Sequence, residues 1–119
     1  MSITLNTLAY SQDVPLTPNK VPYTGPDHTY TTKDLLVLGR VDPKPTATYA
    51  GNARYEVKRT KTVELNGDSS DLADAIVTVS FSLPVGMSST DVDALRDDVG
   101  DFLIGTECGT LVNNRDLTY

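Results

Sequence analysis

From Ala75 to Leu83 the chain places Val77, Val79, Phe81 and Leu83 at every second position, with Thr78, Ser80 and Ser82 between them. A period of two makes a strand with one dry face and one wet face. Pro84 stops the strand, and the period then changes. Val92, Leu95, Val99, Phe102 and Leu103 recur at helical steps, with Asp93, Arg96, Asp97 and Asp101 off the stripe. Ser88-Ser89-Thr90-Asp91 offers oxygens to cap that helix and a carboxylate for the positive end of its dipole. Gly105 is a natural stop. The spacing predicts a helix over 90–104.

Upstream, Ile3-Thr4-Leu5-Asn6 and Leu8-Ala9-Tyr10 suit a short strand. Pro15, Pro18, Pro22, Gly25 and Pro26 punctuate an irregular stretch with room for short edge strands, because proline cannot donate to a central ladder. Asp34–Val41 (DLLVLGRV) is a compact apolar strand ending at Asp42-Pro43, and Ala53–Leu65 (ARYEVKRTKTVEL) alternates over a longer span. Asn66-Gly67-Asp68-Ser69-Ser70 reads as a turn cluster, with Asn-Gly the hairpin signal.

The fold class is α+β: about five antiparallel strands joined by short connections, then a helix. The chain reads as one domain, 1–119, with an N-terminal region 1–33, a main sheet 34–84 and a helical region 88–119. Five strands at ~4.8 Å spacing make a sheet ~24 Å wide, whereas a helix is only ~10 Å across. One helix cannot cover such a face. A second subunit is the natural cover, with Val92, Leu95, Val99, Phe102 and Leu103 at the homodimer interface.

Composition narrows the chemistry. The first residues, Met1-Ser2-Ile3-Thr4-Leu5-Asn6, lack the basic and apolar regions of a signal peptide, and no apolar run approaches bilayer-spanning length. No membrane association is expected. A single histidine, His28, and a single cysteine, Cys108, argue against multi-histidine metal sites and internal disulfides. Cys108 reads as a reduced thiol, with an intersubunit disulfide as the alternative. Asp91, Asp93, Asp97 and Asp98 belong to a solvated helix face, and Gly105 to Gly109 lacks phosphate-loop spacing. No catalytic residue, metal or cofactor is expected.

The net charge of −6 is unevenly spread. Residues 33–61 hold seven Lys and Arg against Asp34, Asp42 and Glu56, whereas residues 62–119 hold Arg96 and Arg115 against eleven acids. A basic middle beside an acidic C-terminal half suits one face meeting a polyanion. If Tyr55 and Val57 mark the dry side of their strand, Arg54, Glu56, Lys58, Thr60 and Thr62 face the other way, with Thr78, Ser80 and Ser82 of the later strand. That surface is either a platform for phosphates and bases or an ordinary solvated sheet face.

The succession of DLLVLGRV, Asn52-Ala53-Arg54-Tyr55-Glu56-Val57-Lys58, a polar turn, AIVTVSFSLP and a helix opened by SSTD resembles the coat proteins of single-stranded RNA bacteriophages. The similarity covers residues 34–104; the terminal Tyr119 is a further point of likeness. The resemblance implies an N-terminal hairpin over one face, a five-stranded main sheet, and C-terminal helices that interlock with a partner's in a ten-stranded dimer. It implies an icosahedral shell whose polar sheet face meets the packaged RNA inside a virion, assembled in the cytoplasm of a bacterial host. Carried over position by position, it assigns RNA contact to Asn52, Arg54, Lys58, Thr78 and Ser80, and the polar-face pattern adds Thr60. Two positions depart from the family: Glu56 stands where a hydroxyl is usual, and Ile76 where a tyrosine stacks a base. The expected function is a non-enzymatic, self-assembling, RNA-packaging coat protein. The alternative is a free-standing dimeric β-sheet RNA-binding module. A second C-terminal helix is left open, because the segment after Gly105 is short, contains Gly109 and has few apolar residues.

Overall fold

A computed structural model describes residues 2–44, 46–48, 51–115 and 117. Tyr119 lies outside the described residues. The chain forms two compact units, Met1–Val85 and Gly86–Tyr119.

The first unit is one antiparallel sheet of six strands in sequence order: β1 (Ser2–Leu5), β2 (Leu8–Gln12), β3 (Lys20–Thr24), β4 (Asp34–Val41), β5 (Asn52–Leu65) and β6 (Asp68–Pro84). The N-terminal hairpin that the resemblance implies is present: Asn6 and Thr7 take positive φ of 47° and 70° and reverse the chain between Leu5 and Leu8, so the segment that suited one short strand forms two. That hairpin continues the sheet through Ser11–Thr24 and Gln12–Tyr23 pairing, so the sheet has six strands and begins well before residue 34. β3 carries Pro22 yet is an interior strand rather than an edge strand; its contact with β2 is limited to two residue pairs.

The Asn66-Gly67 turn holds as read, with φ of 53° and 72°. β6 nonetheless starts at Asp68, directly after that turn, so the turn cluster is shorter and the strand longer than the apolar pattern indicates. A polar segment extends as a strand here because β5 supplies ladder partners as far as Leu65, past an irregularity between Glu64 and Leu65.

The core of this unit is small. Tyr10, Tyr23 and Leu36 are buried, with Ile3, Leu5, Val21, Leu38 and Val57 packed around them. The hairpin thus covers one face of β3 to β5. Tyr10 also brings a polar latch. Its hydroxyl donates to Asp34 Oδ1 at 2.9 Å, the Arg59 guanidinium meets the same oxygen at 2.7 Å, and the guanidinium also lies 5.0 Å above the Tyr10 ring. The Asp27 backbone N–H donates to Asp34 Oδ2 at 3.2 Å. Burial by itself would raise the Asp34 carboxyl, but the hydrogen bonds from Tyr10 and Asp27 and the Arg59 charge outweigh it and hold the carboxyl below its usual range. Burial and donation to Asp34 push the Tyr10 phenol up. Gly25 is required beside the latch, because a Cβ there would strike the Asp34 carboxylate and the Tyr10 ring.

The second unit holds two helices, α1 (Ser89–Ile104) and α2 (Thr106–Asn114). Ser88 caps α1, its hydroxyl accepting from the Asp91 N–H at 3.2 Å, and Gly105 ends it. The second helix, left open by the sequence, forms: nine residues suffice with Glu107 in its first turn and Arg115 in the left-handed conformation closing it. Cys108 is a half-buried free thiol in α2. Neither helix is long and apolar enough to cross a membrane.

Candidate nucleic-acid interface

Strand register decides which side chains share a face, since directly paired residues in antiparallel strands point the same way. Arg54 pairs with Ser82, Glu56 with Ser80, Lys58 with Thr78, Thr60 with Ile76 and Thr62 with Asp74. Asn52, two residues before Arg54, joins them, and its amide donates to the Ser82 hydroxyl at 3.0 Å. The sheet therefore brings Asn52, Arg54, Lys58, Thr60, Thr78 and Ser80 onto one surface. Tyr55 pairs with Phe81 and Val57 with Val79 on the opposite, apolar surface.

Exposure separates these residues. Arg54, Thr78 and Ser80 are exposed, whereas Asn52 and Lys58 are half-buried. Thr60 lies on the polar face, but between Leu35 and Ile76 only 8% of it is accessible, so it offers little surface there.

Ion pairing shows where the positive charge of the middle segment remains available. Arg59 is held by Asp34, Lys61 by Asp27 at 3.5 Å and Lys33 by Asp74 at 3.2 Å. The hydrogen bond from Thr62 and the Lys33 ammonium hold the Asp74 carboxyl below its usual range. Arg40 donates to the Asn19 side chain at 3.2 Å. Among the described residues no ion pair involves Lys20, Lys44, Arg54 or Lys58. Lys20, Arg54 and Lys58 all belong to the polar face, where Lys20 pairs with Gly39 and Gly39 with Glu56. Lys44 joins Asn52 and Arg54 around a hollow of about 390 Å³ at the end of β4 and β5.

The sequence reading missed Lys20 and Gly39 as parts of this surface. A signal for Gly39 was present: glycine inside an apolar strand marks a place where something approaches the backbone closely. Lys20 had none, because its strand was hidden among prolines. Among the described residues no group of three metal-ligating side chains comes together.

The residues expected at a dimer interface lie along α1 as the helical spacing requires. Val92 is half-buried, and Leu95, Val99, Phe102 and Leu103 are each about half exposed, at 50, 47, 49 and 47%. No residue of α1 is buried. Across the sheet, Tyr55 and Val77 of the apolar face are also open, at 45 and 59%.

No family model and no curated protein matches the sequence. Solved structures do match the fold. The protein of the virus-like particle of Beihai levi-like virus 32 superposes with a TM-score of 0.72 at 21% identity, over 97% of this chain and 87% of that one. The particle of Wenzhou levi-like virus 4 gives 0.76 at 20% identity over 92% and 76%. That of bacteriophage GQ-907 gives 0.78 at 15% identity over 99% and 90%. At these identities the likeness is one of architecture, and it runs through the sheet and both helices. This chain therefore has the levivirus-like coat-protein fold, an antiparallel sheet followed by C-terminal helices.

Proposed function

We propose that the chain is the coat protein of a single-stranded RNA bacteriophage, which dimerises, assembles into a closed shell in the bacterial cytoplasm and packages RNA against its polar sheet face. The observation that carries this reading is the fold shared over nearly the whole chain with proteins of virus-like particles. Two features support it. The apolar stripe of α1 and, on the apolar sheet face, Tyr55 and Val77 are open in the single chain, which favours a partner copy as their cover. Lys20, Arg54 and Lys58, which form no ion pair among the described residues, share the polar face, as a phosphate platform needs.

Expression of the chain in bacteria is expected to yield uniform hollow particles in electron micrographs. A sharp small species in sedimentation at micromolar concentration would exclude the shell. A dimer that binds RNA without forming particles would instead favour the free-standing module.

The RNA face is tested separately by salt. Arg54 and Lys58 stand four residues apart on one strand face, ~13 Å along β5, and a two-fold dimer presents four such cations. With Arg54 and Lys58 both replaced by alanine, the slope of log affinity against log salt for a short RNA should flatten by up to ~3, at roughly 0.7 per phosphate contact. Replacing Arg96 and Arg115, which lie outside this face, should leave the slope alone. Equal slopes for the wild type and the Arg54/Lys58 variant would remove this surface from the RNA reading, whether or not shells form.

A further inference from the structure

We propose that the gap at Gly39 on the polar face is a pocket for one unpaired guanine, read by the Glu56 carboxylate. This inference rests on the RNA-binding reading of the same face and adds to it a base identity and the residue that selects it.

Register places Lys20, Gly39, Glu56 and Ser80 in one row across four strands, β3 to β6. Glycine leaves a missing side chain in the middle of that row. A Cβ at Gly39 would meet Lys20 Cγ at 3.6 Å, the Asn19 carbonyl oxygen at 3.8 Å and Glu56 Cβ at 3.9 Å, so the floor is backbone and the side chains that flank it are those of Lys20 and Glu56. The hollow above it has a volume of about 540 Å³ and is bordered by Lys20, Arg54, Glu56, Ser80 and Ser82. The hollow above this floor has the volume for a flat base.

The chemistry of the walls selects the base. A carboxylate only accepts hydrogen bonds, and it has two oxygens to do so. Guanine alone presents two adjacent donors on its Watson–Crick edge, N1–H and the N2 amino group, which match those oxygens. Adenine and cytosine each place a ring acceptor beside their amino group, and uracil flanks its N3–H with two carbonyls, so each sets a lone pair against the carboxylate. Glu56 repels a phosphate placed beside it, which makes it a poor element of a purely electrostatic platform. With Lys20 and Arg54 on either side of the hollow to hold the flanking phosphates, the same residue becomes a base reader.

Binding of the wild-type protein, released from its particles and freed of RNA so that the polar face is accessible, to nine-nucleotide RNAs tests this. The probes are all-uridine, and uridine with a single central guanosine, inosine, adenosine or cytidine, at one fixed low salt concentration. The guanosine probe is expected to bind about ten-fold more tightly than the all-uridine, adenosine and cytidine probes. Inosine, which lacks the N2 amino group, should fall between. Glu56→Gln should erase the guanosine advantage while leaving all-uridine binding equal or stronger, because a negative charge has been removed. Gly39→Val, which fills the gap without altering charge, should erase it as well. Salt-dependent binding with no preference among the five probes would overturn the pocket and leave the RNA face standing. Retention of the full guanosine advantage by Glu56→Gln would overturn the role of Glu56. Failure of every probe to bind would remove the RNA reading itself, and the pocket with it.

Discussion

Asp34→Ala is expected to destabilise the fold by about 3–5 kcal/mol, the usual cost of removing one partner from a buried ion pair. The Asp34 side chain is 1% exposed and its Oδ1 receives both the Arg59 guanidinium and the Tyr10 hydroxyl. Alanine leaves that guanidinium, itself only 25% exposed, beside an empty space, and frees the Asp27 N–H as well. Urea unfolding at neutral pH measures the loss. The pH dependence follows from the direction of the shift. A carboxyl whose value is depressed in the folded state contributes its stabilisation in full above the unfolded value near ~3.9, and loses it as pH falls through the lower folded value. The wild type should therefore weaken steeply on strong acidification, and Asp34→Asn, already weaker at neutral pH, should show a flatter acid limb. Tyr10, pushed up, acts on the opposite side: its contribution is complete below about 10 and is lost as pH rises through its folded value. An acid limb identical in the wild type and Asp34→Asn would show that the latch does not govern acid stability.

Phe102→Ala is expected to cost the associated form about 3–5 kcal/mol, the range for deleting a buried aromatic ring. The distinguishing observation is its dependence on protein concentration. In the isolated chain the ring is 49% exposed, so its removal there costs much less; the full penalty appears only where a partner subunit encloses it. Melting followed across a hundred-fold dilution should show the wild type losing stability as dimers dissociate, with the variant weaker at every concentration. A melting temperature unchanged by the substitution would remove the α1 stripe from the interface.

The parts of the fold legible in the sequence are those in which one physical signal dominates. Alternation in 75–83 and 53–65 gives the facing of those residues in β5 and β6, so the shared face of Arg54, Lys58, Thr78 and Ser80 follows from pattern. The α1 stripe and its Ser88 cap are equally direct. Legibility fails where neighbours decide. Asp68–Asp74 carries no apolar alternation and is a strand because β5 is there to pair with it. Lys20–Thr24 contains a proline and is a strand because β4 lies beside it along its whole length. Thr60 has the right facing, but its burial depends on Leu35 and Ile76, which are distant in sequence. The latch is the least legible feature. Tyr10, Asp34 and Arg59 are separated by 24 and 25 positions, and no local pattern links a tyrosine in one strand to an aspartate that opens another.

The order of the strands governs how the sheet can form. Each strand pairs with its immediate neighbour in the chain, so the sheet can be built by successive hairpins, none of which closes a long loop before it gains contacts. Such a route has low contact order for a β structure and little need to hold unpaired edges open while waiting for distant segments. The exception is the bond from Arg59 to the Tyr10 hydroxyl, which spans 49 positions and cannot form until the fifth strand meets the first hairpin. Closure of that bond is therefore a late event in the assembly of the sheet.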